Sequence, residues 1–221
     1  ESVKEKNRDR VVEAVAESSY QPRLLARQLR TARSSMSLVL VSNIANPVCA
    51  EVVKGIEGEA EQNGFRILLC NSGSDMERSR SALKLLSGKI VDGIITMDAF
   101  ARLPELTTLI GRAPWVQCAE YADEGDVSCV GINDVDAAQC VIEHLIARGC
   151  QRIALINHDL SYKYARLREQ GYTHALQEKQ RTWQAVEYAQ DLSFSAGKAA
   201  MEQLLAEETV PDAVFAVSDT L

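Results

Sequence analysis

Residues Ser37–Cys70 read "SLVLVSNIANPVCAEVVKGIEGEAEQNGFRILLC". "SLVLV" is a short apolar run. From about Pro47 the apolar positions recur at helical spacing, and Gly64 follows them where a left-handed C-cap is common. "RILLC" is a second short apolar run. A short run, an amphipathic helix of more than ten residues and another short run make a βαβ unit. Runs that are apolar throughout predict parallel strands buried on both faces.

Downstream, the same alternation continues. "ERSRSALKLLSG" reads as a helix, "DGIITM" as a strand and "LPELTTLIG" as a helix. "WVQC" and "SCVGI" read as strands, "AAQCVIEHLIARG" as a helix ending before Gly149, and "RIALI" as a strand. The pattern then repeats more weakly. A helix covers about Tyr162 to Glu178 with Gly171 inside it, a short strand falls near "AVEY", a helix covers "AGKAAMEQLLAE", and "AVFAV" is the last strand. A second complete α/β unit needs more elements than remain before Leu221, so the chain reads as truncated there. Upstream, "VKEKNRDRVVEAVAESS" is an amphipathic helix with Val11, Val12 and Val15 on one side. One helix makes no domain, which predicts missing partners before it.

The 221 residues carry a net charge of −7, unevenly spread. Residues 1–34 hold eight Lys/Arg and five Asp/Glu, and the remainder is strongly acidic. Tyr20–Ser34, "YQPRLLARQLRTARS", contains four arginines and no acid. Such asymmetry predicts a basic arm on an acidic body that does not bind polyanions by itself. Pro22 suits the first turn of a helix. Arg23, Arg27 and Arg30 then share one face, and Leu25 and Leu29 a neighbouring one. Aligned guanidiniums suit phosphate oxygens, and a leucine beside them is a side chain that wedges between base steps. A solvated linker helix is the other reading of the same spacing.

The six cysteines form no Cys-x-x-Cys pair, and several lie in apolar runs, so they are expected as buried, reduced thiols. No signal peptide is read and no apolar run approaches the roughly 18 residues of a membrane span, so the expectation is a soluble, cytoplasmic protein. His144, His158 and His174 match no metal-binding spacing. "GIEGEAEQNG" lacks the order of a dinucleotide site, and "NSGSDMERS" reads as an N-cap loop and not a nucleophile elbow. No catalytic residue, metal or cofactor is expected.

The set of motifs resembles the LacI/GalR family of transcriptional repressors. "RDRVVEAVAESSYQPRLLARQLRTARS" is similar to the end of that family's headpiece and its hinge. "NPVCAEVVKGIEG", "VDGIITM", "VGINDVDAAQCVIEHLIARGCQRIALI" and "FAVSDTL" follow its core segments in order, so the resemblance covers nearly the whole chain. It implies an α/β, periplasmic-binding-protein-like core of two Rossmann-like subdomains, preceded by the end of a helix-turn-helix headpiece and a hinge helix. The expected division is a headpiece and hinge remnant over 1–34, an N-terminal subdomain over 35–158 and a partial C-terminal subdomain over 159–221.

The resemblance also implies function: a ligand-responsive repressor that binds operator DNA as a homodimer or tetramer, with a small sugar or nucleoside effector between the subdomains. On the hinge it implies Leu29 inserted at the operator centre, with Ala26, Arg27 and Arg30 nearby and Arg23 adding charge. For the effector it points to Val48 and Cys49, which replace paired aromatics, and to Tyr162, Tyr164, Arg168, Leu192, Ser218 and Asp219. Asn133 and Asp134 reverse the family's usual Asp-Asn order. The residues alone leave other roles open. Val48 and Cys49 also read as core or dimer contacts, Tyr162 and Tyr164 as helix-surface residues, and Arg168 as the partner of Glu169 or another acid. Dimerisation is expected through the helix at about Val48–Glu61. The competing classes are a periplasmic-type sugar receptor without DNA binding, and a flavodoxin-like or Rossmann enzyme.

Overall fold

The computed structural model describes residues 4–18, 33–97, 103–121 and 127–221. Its elements run in order α1 (Glu5–Ser18), β1 (Met36–Val41), α2 (Pro47–Gln62), β2 (Arg66–Asn71), α3 (Met76–Ser87), β3 (Gly93–Met97), α4 (Leu103–Ile110), β4 (Trp115–Cys118), β5 (Ser128–Val130), α5 (Asp134–Ala147), β6 (Ile153–Asn157), α6 (Lys163–Glu178), β7 (Ala185–Tyr188), α7 (Phe194–Ala206) and β8 (Ala213–Ala216). They form two parallel sheets, ordered β2-β1-β3-β4-β5 and β7-β6-β8.

β1 is central in the first sheet, and alternation sends its side chains to two cores. Leu38 and Leu40 pack with Leu83 and Leu86 of α3 and Leu106 and Ile110 of α4. Val39 and Val41 pack with Cys49 and Val53 of α2. β6 does the same in the second sheet. Ile153 and Leu155 face Ile142 of α5 and Tyr172 and Leu176 of α6. Ala154 and Ile156 face Ala200 and Leu204 of α7. This two-sided burial is why β1 and β6 are apolar along most of their length, whereas β2 and β5 at the sheet edges are exposed along half or more of theirs.

The two sheets also share a device at their amino ends. Asp92, just before β3, accepts the Ser34 and Ser35 N–H groups ahead of β1 at 2.8 Å each. Asp212, just before β8, accepts Gln151 and Arg152 N–H ahead of β6 at 3.0 and 2.8 Å. Each aspartate ties the entry of a central strand to the start of its neighbour.

This partition corrects one expectation. The boundary expected after residue 158 falls instead ahead of α5, because β6 pairs with β7 and β8. Gly171 brings α6 so close to α5 that a Cβ there would lie 2.3 Å from the Val135 carbonyl oxygen. The cysteine expectation is half right: all six are free, but only Cys49 is buried, while Cys129 and Cys140 are exposed. On α1, Val11, Val12 and Val15 are exposed. Among the described residues no helix is long and apolar enough to cross a membrane.

Candidate functional site

In a parallel sheet with helical crossovers, the loops at the carboxyl ends of the strands are where ligands bind. In the second sheet these are the loop from His158 into α6, the loop after β7 holding Leu192, and the segment after β8 holding Val217–Asp219.

The strand end at β6 is polar despite complete burial. Asn157 donates from Nδ2 to the Ala165 carbonyl at 3.1 Å and to Glu169 Oε2 at 2.8 Å, and its Oδ1 accepts the His158 N–H at 2.8 Å. This network aims His158 at the start of α6. There the His158 ring lies 5.1 Å from the Tyr162 ring and stacks at 6.3 Å on Tyr164, with the two tyrosine rings 5.7 Å apart. His158 Nδ1 and the Tyr164 hydroxyl are hydrogen-bonded at 2.9 Å. Burial lowers the His158 pKa against the pull of Asp159 and Asp191, so the ring is neutral near pH 7. Burial raises the Tyr164 pKa, with Tyr162 and Glu120 adding to the effect. The result is a neutral aromatic wall with a hydroxyl and an imidazole along it.

Arg168 stands one turn further along α6. Its Nε donates to Asp134 Oδ1 at 2.8 Å and its Nη1 to the Val217 carbonyl at 2.5 Å, and its guanidinium lies 5.3 Å from the Tyr164 ring centroid. The acid it pairs with is Asp134 at the start of α5. Glu169 is committed to Asn157 and to the Tyr188 hydroxyl, at 3.0 Å from Oε2. Arg166 turns away and donates to the Leu160 and Ser161 carbonyls at 2.8 and 2.9 Å.

The other expected positions are more scattered. Ser218 is half-buried with its hydroxyl 2.8 Å from that of Thr220, Asp219 is exposed, and Leu192 is half-buried. Val48 is 61% exposed at the start of α2, whereas Cys49 packs into the core beside Val39 and Val53, so the two part company. Arg23, Ala26, Arg27, Leu29 and Arg30 lie outside the described residues. Among the described residues no cluster of His, Cys, Asp and Glu could hold a metal ion.

The sequence reading missed Glu120. It follows β4 in the first sheet, is 8% exposed, and accepts the Lys163 N–H at 2.5 Å through Oε1, with Oε2 3.4 Å from the Tyr164 nitrogen. Burial raises its pKa even though those N–H groups and Arg166 oppose the rise. It also missed His158 as a wall residue. The only sequence signals were an acid and a histidine, each just beyond an apolar run.

Two parallel α/β units with their polar loops at the carboxyl ends make this the periplasmic-binding-protein-like class of fold. The family model for the periplasmic binding proteins and sugar binding domain of the LacI family matches residues 34–221, and the chain belongs to that family. It is 30% identical over 215 residues to the ribose operon repressor of Escherichia coli, covering 96% of this chain and 65% of that protein. Against the ribose operon repressor of Halalkalibacterium halodurans, the chain spans 62% of the relative's length. Among solved structures, an uncharacterized protein from Actinobacillus succinogenes is 56% identical with a TM-score of 0.80, covering 84% of this chain and 70% of that one. The lac repressor dimer bound to operator and the anti-inducer ONPF is 27% identical with a TM-score of 0.86, covering 100% of this chain and 67% of that one.

Proposed function

We propose that this chain is the core and hinge region of a ligand-responsive transcriptional repressor, one that binds operator DNA as a homodimer and takes a small sugar or nucleoside as effector. The observation that carries the reading is the wall of Tyr162, Tyr164 and His158 beside the Arg168–Asp134 pair at the carboxyl edge of the second sheet. Rings of this kind stack on a sugar or base, while the tyrosine hydroxyls and an oriented guanidinium meet its polar edge. In this reading Leu192, Ser218 and Asp219 border the site from the neighbouring strand ends of the second sheet. The protein acts by binding and not by catalysis, and it works in the cytoplasm, where its DNA is.

Support for the DNA half comes from charge. The arginines at 23, 27 and 30 recur at a spacing of four and three residues in an otherwise acidic chain. In this reading Arg23, Arg27 and Arg30 neutralise phosphates, and Leu29 with Ala26 enters the minor groove. Two hinges meeting at one operator require two-fold symmetry, which α2, with Val48 exposed, serves as a dimer contact; tetramers would add a second interface.

The test uses the full-length protein. Operator fragments are selected from random DNA, and their affinity is titrated at several salt concentrations with and without D-ribose and a panel of ribonucleosides. The expected result is salt-dependent, ligand-sensitive binding. Leu29→Ala should weaken it by about 1–3 kcal/mol, and Arg27→Ala should lower the salt slope by about one unit. A periplasmic-type receptor, the other class within the same family, would bind a sugar and select no DNA.

A further inference from the structure

Four of the described helices are capped by their own N-cap residue. Asn46, Asp75, Asn133 and Ser193 each accept N–H groups at the starts of α2, α3, α5 and α7. α6 departs from this pattern. Its N-cap residue is Tyr162, whose side chain makes no capping bond. The first N–H groups of α6 go instead to Glu120, a residue of the first sheet's loop that is 43 positions away from Lys163. A carboxylate at a helix N-terminus is favoured by the helix dipole and by charge-assisted hydrogen bonds.

The next residue grips the same place. The Lys163 ammonium lies 3.7 Å from the centroid of the Tyr121 ring. Behind that ring stands Gly131, where a Cβ would come within 2.6 Å of Tyr121 Cε1, so glycine makes the ring's seat possible. Ahead of the pair, Ala119 has φ of 67°, a left-handed conformation that a non-glycine residue holds only when its surroundings enforce it. That turn directs Glu120 and Tyr121 at α6.

We propose that Glu120 and Tyr121 are positioning residues: a clasp by which the first unit holds the opening turn of α6, and with it the Tyr162–Tyr164 wall, so that closing the clasp and filling the effector site favour one another. The proposal rests on the reading that this wall receives the effector. The clasp is built to be reversible. Burying the Glu120 carboxylate is costly, and the donated N–H groups and the charge of Arg166 offset part of that cost. When the clasp opens, water solvates both the carboxylate and the helix end. A ligand that packs on Tyr162 and Tyr164 shares their backbone with the clasp, and so gives the two states different affinities.

The test compares wild type with Glu120→Ala, Glu120→Gln and Tyr121→Leu. Backbone amide exchange at Lys163 and Tyr164 is followed by nuclear magnetic resonance, and calorimetric affinity is measured for D-ribose and the ribonucleoside panel. In Glu120→Ala, exchange at those two amides quickens by about tenfold or more and the best probe binds about tenfold more weakly, as the loss of a charge-assisted bond implies. Glu120→Gln, which keeps one acceptor, recovers most of both effects, whereas a merely structural role would move stability without this paired rescue. Tyr121→Leu keeps the packing against Gly131, loses the cation contact and gives a smaller effect in the same direction. Equal exchange at the two amides in wild type and Glu120→Ala overturns the clasp, and altered exchange with unchanged probe affinity overturns its coupling to the site. If no probe binds the wild type, the effector reading fails, while the exchange comparison still decides whether the clasp exists.

Discussion

Arg168 and Asp134 form an ion pair across the α5–α6 contact, with Nε and Oδ1 2.8 Å apart and the two side chains 27% and 7% exposed. Asp134 opens α5, and Arg168 also reaches the Val217 carbonyl beyond β8. One side chain thus joins two helices and a strand end within the second unit.

Arg168→Ala leaves the Asp134 carboxylate buried without a cation, and the Val217 carbonyl without this donor. The expected destabilisation is about 2–3 kcal/mol, read as a lower midpoint in urea unfolding. In a double-mutant cycle, Asp134→Ala in the Arg168→Ala background should cost much less than in the wild type. Additive costs would mean that the pair is not coupled.

Gly171→Ala sets two effects against each other. Alanine favours a helix interior by about 1 kcal/mol over glycine. The added methyl, however, would sit 2.3 Å from the Val135 oxygen and 2.8 Å from Ala138 Cβ. Backbone stands in the way, so α5 and α6 must separate at a cost of about 1–3 kcal/mol. The clash prevails, and the melting temperature should fall by several degrees in calorimetry.

The Tyr172 hydroxyl donates to the Ile153 carbonyl at 2.8 Å and accepts the Ala185 N–H at 3.2 Å, bridging β6 and β7 from α6. Burial pushes its pKa to about 12. Tyr172→Phe keeps the ring and strands both backbone groups, costing about 1–2 kcal/mol. In an ultraviolet titration the Tyr172 contribution should appear only near pH 12, and the variant should lack that late step.

Acidification should weaken the fold in two steps. The His158 pKa is lowered by burial, so the unfolded chain takes its proton first, and stability falls as pH drops below about 6.5. For Asp92 burial works the other way, but the Ser34 and Ser35 hydrogen bonds outweigh it and hold the pKa low; Arg152 and Gln151 do the same for Asp212. Stability from these aspartates is present above about pH 4 and is lost as pH falls through their lowered native values. Urea midpoints at pH 7.5, 5.5 and 3.5 check the order. His158→Asn should flatten the first step, and Asp92→Asn the second.

Much of the fold was legible in the chain because its determinants are local. Apolar runs bounded by glycines, and helices with one apolar stripe, identify strands and crossovers wherever they land. Tyr162, Tyr164 and Arg168 were singled out for a different reason: the resemblance to the family pointed to them, while the residues alone left a helix surface and an ion pair as open readings. The concentration of arginine in residues 20–34 was plain from the sequence.

Tertiary structure alone decided the rest. Sheet pairing, not spacing, assigned β6 to the second unit, since a strand's partners are chosen across long stretches of chain. Cys49 went to the core while its neighbour Val48 stayed exposed, because consecutive helix positions point in different directions. The partner of Arg168 was settled by the approach of α5 at Gly171. Glu120 looks in the sequence like any acid after a strand. Only the meeting of two sheets puts it on the uncapped end of α6, where the exposed N–H groups give a buried carboxylate somewhere to bond.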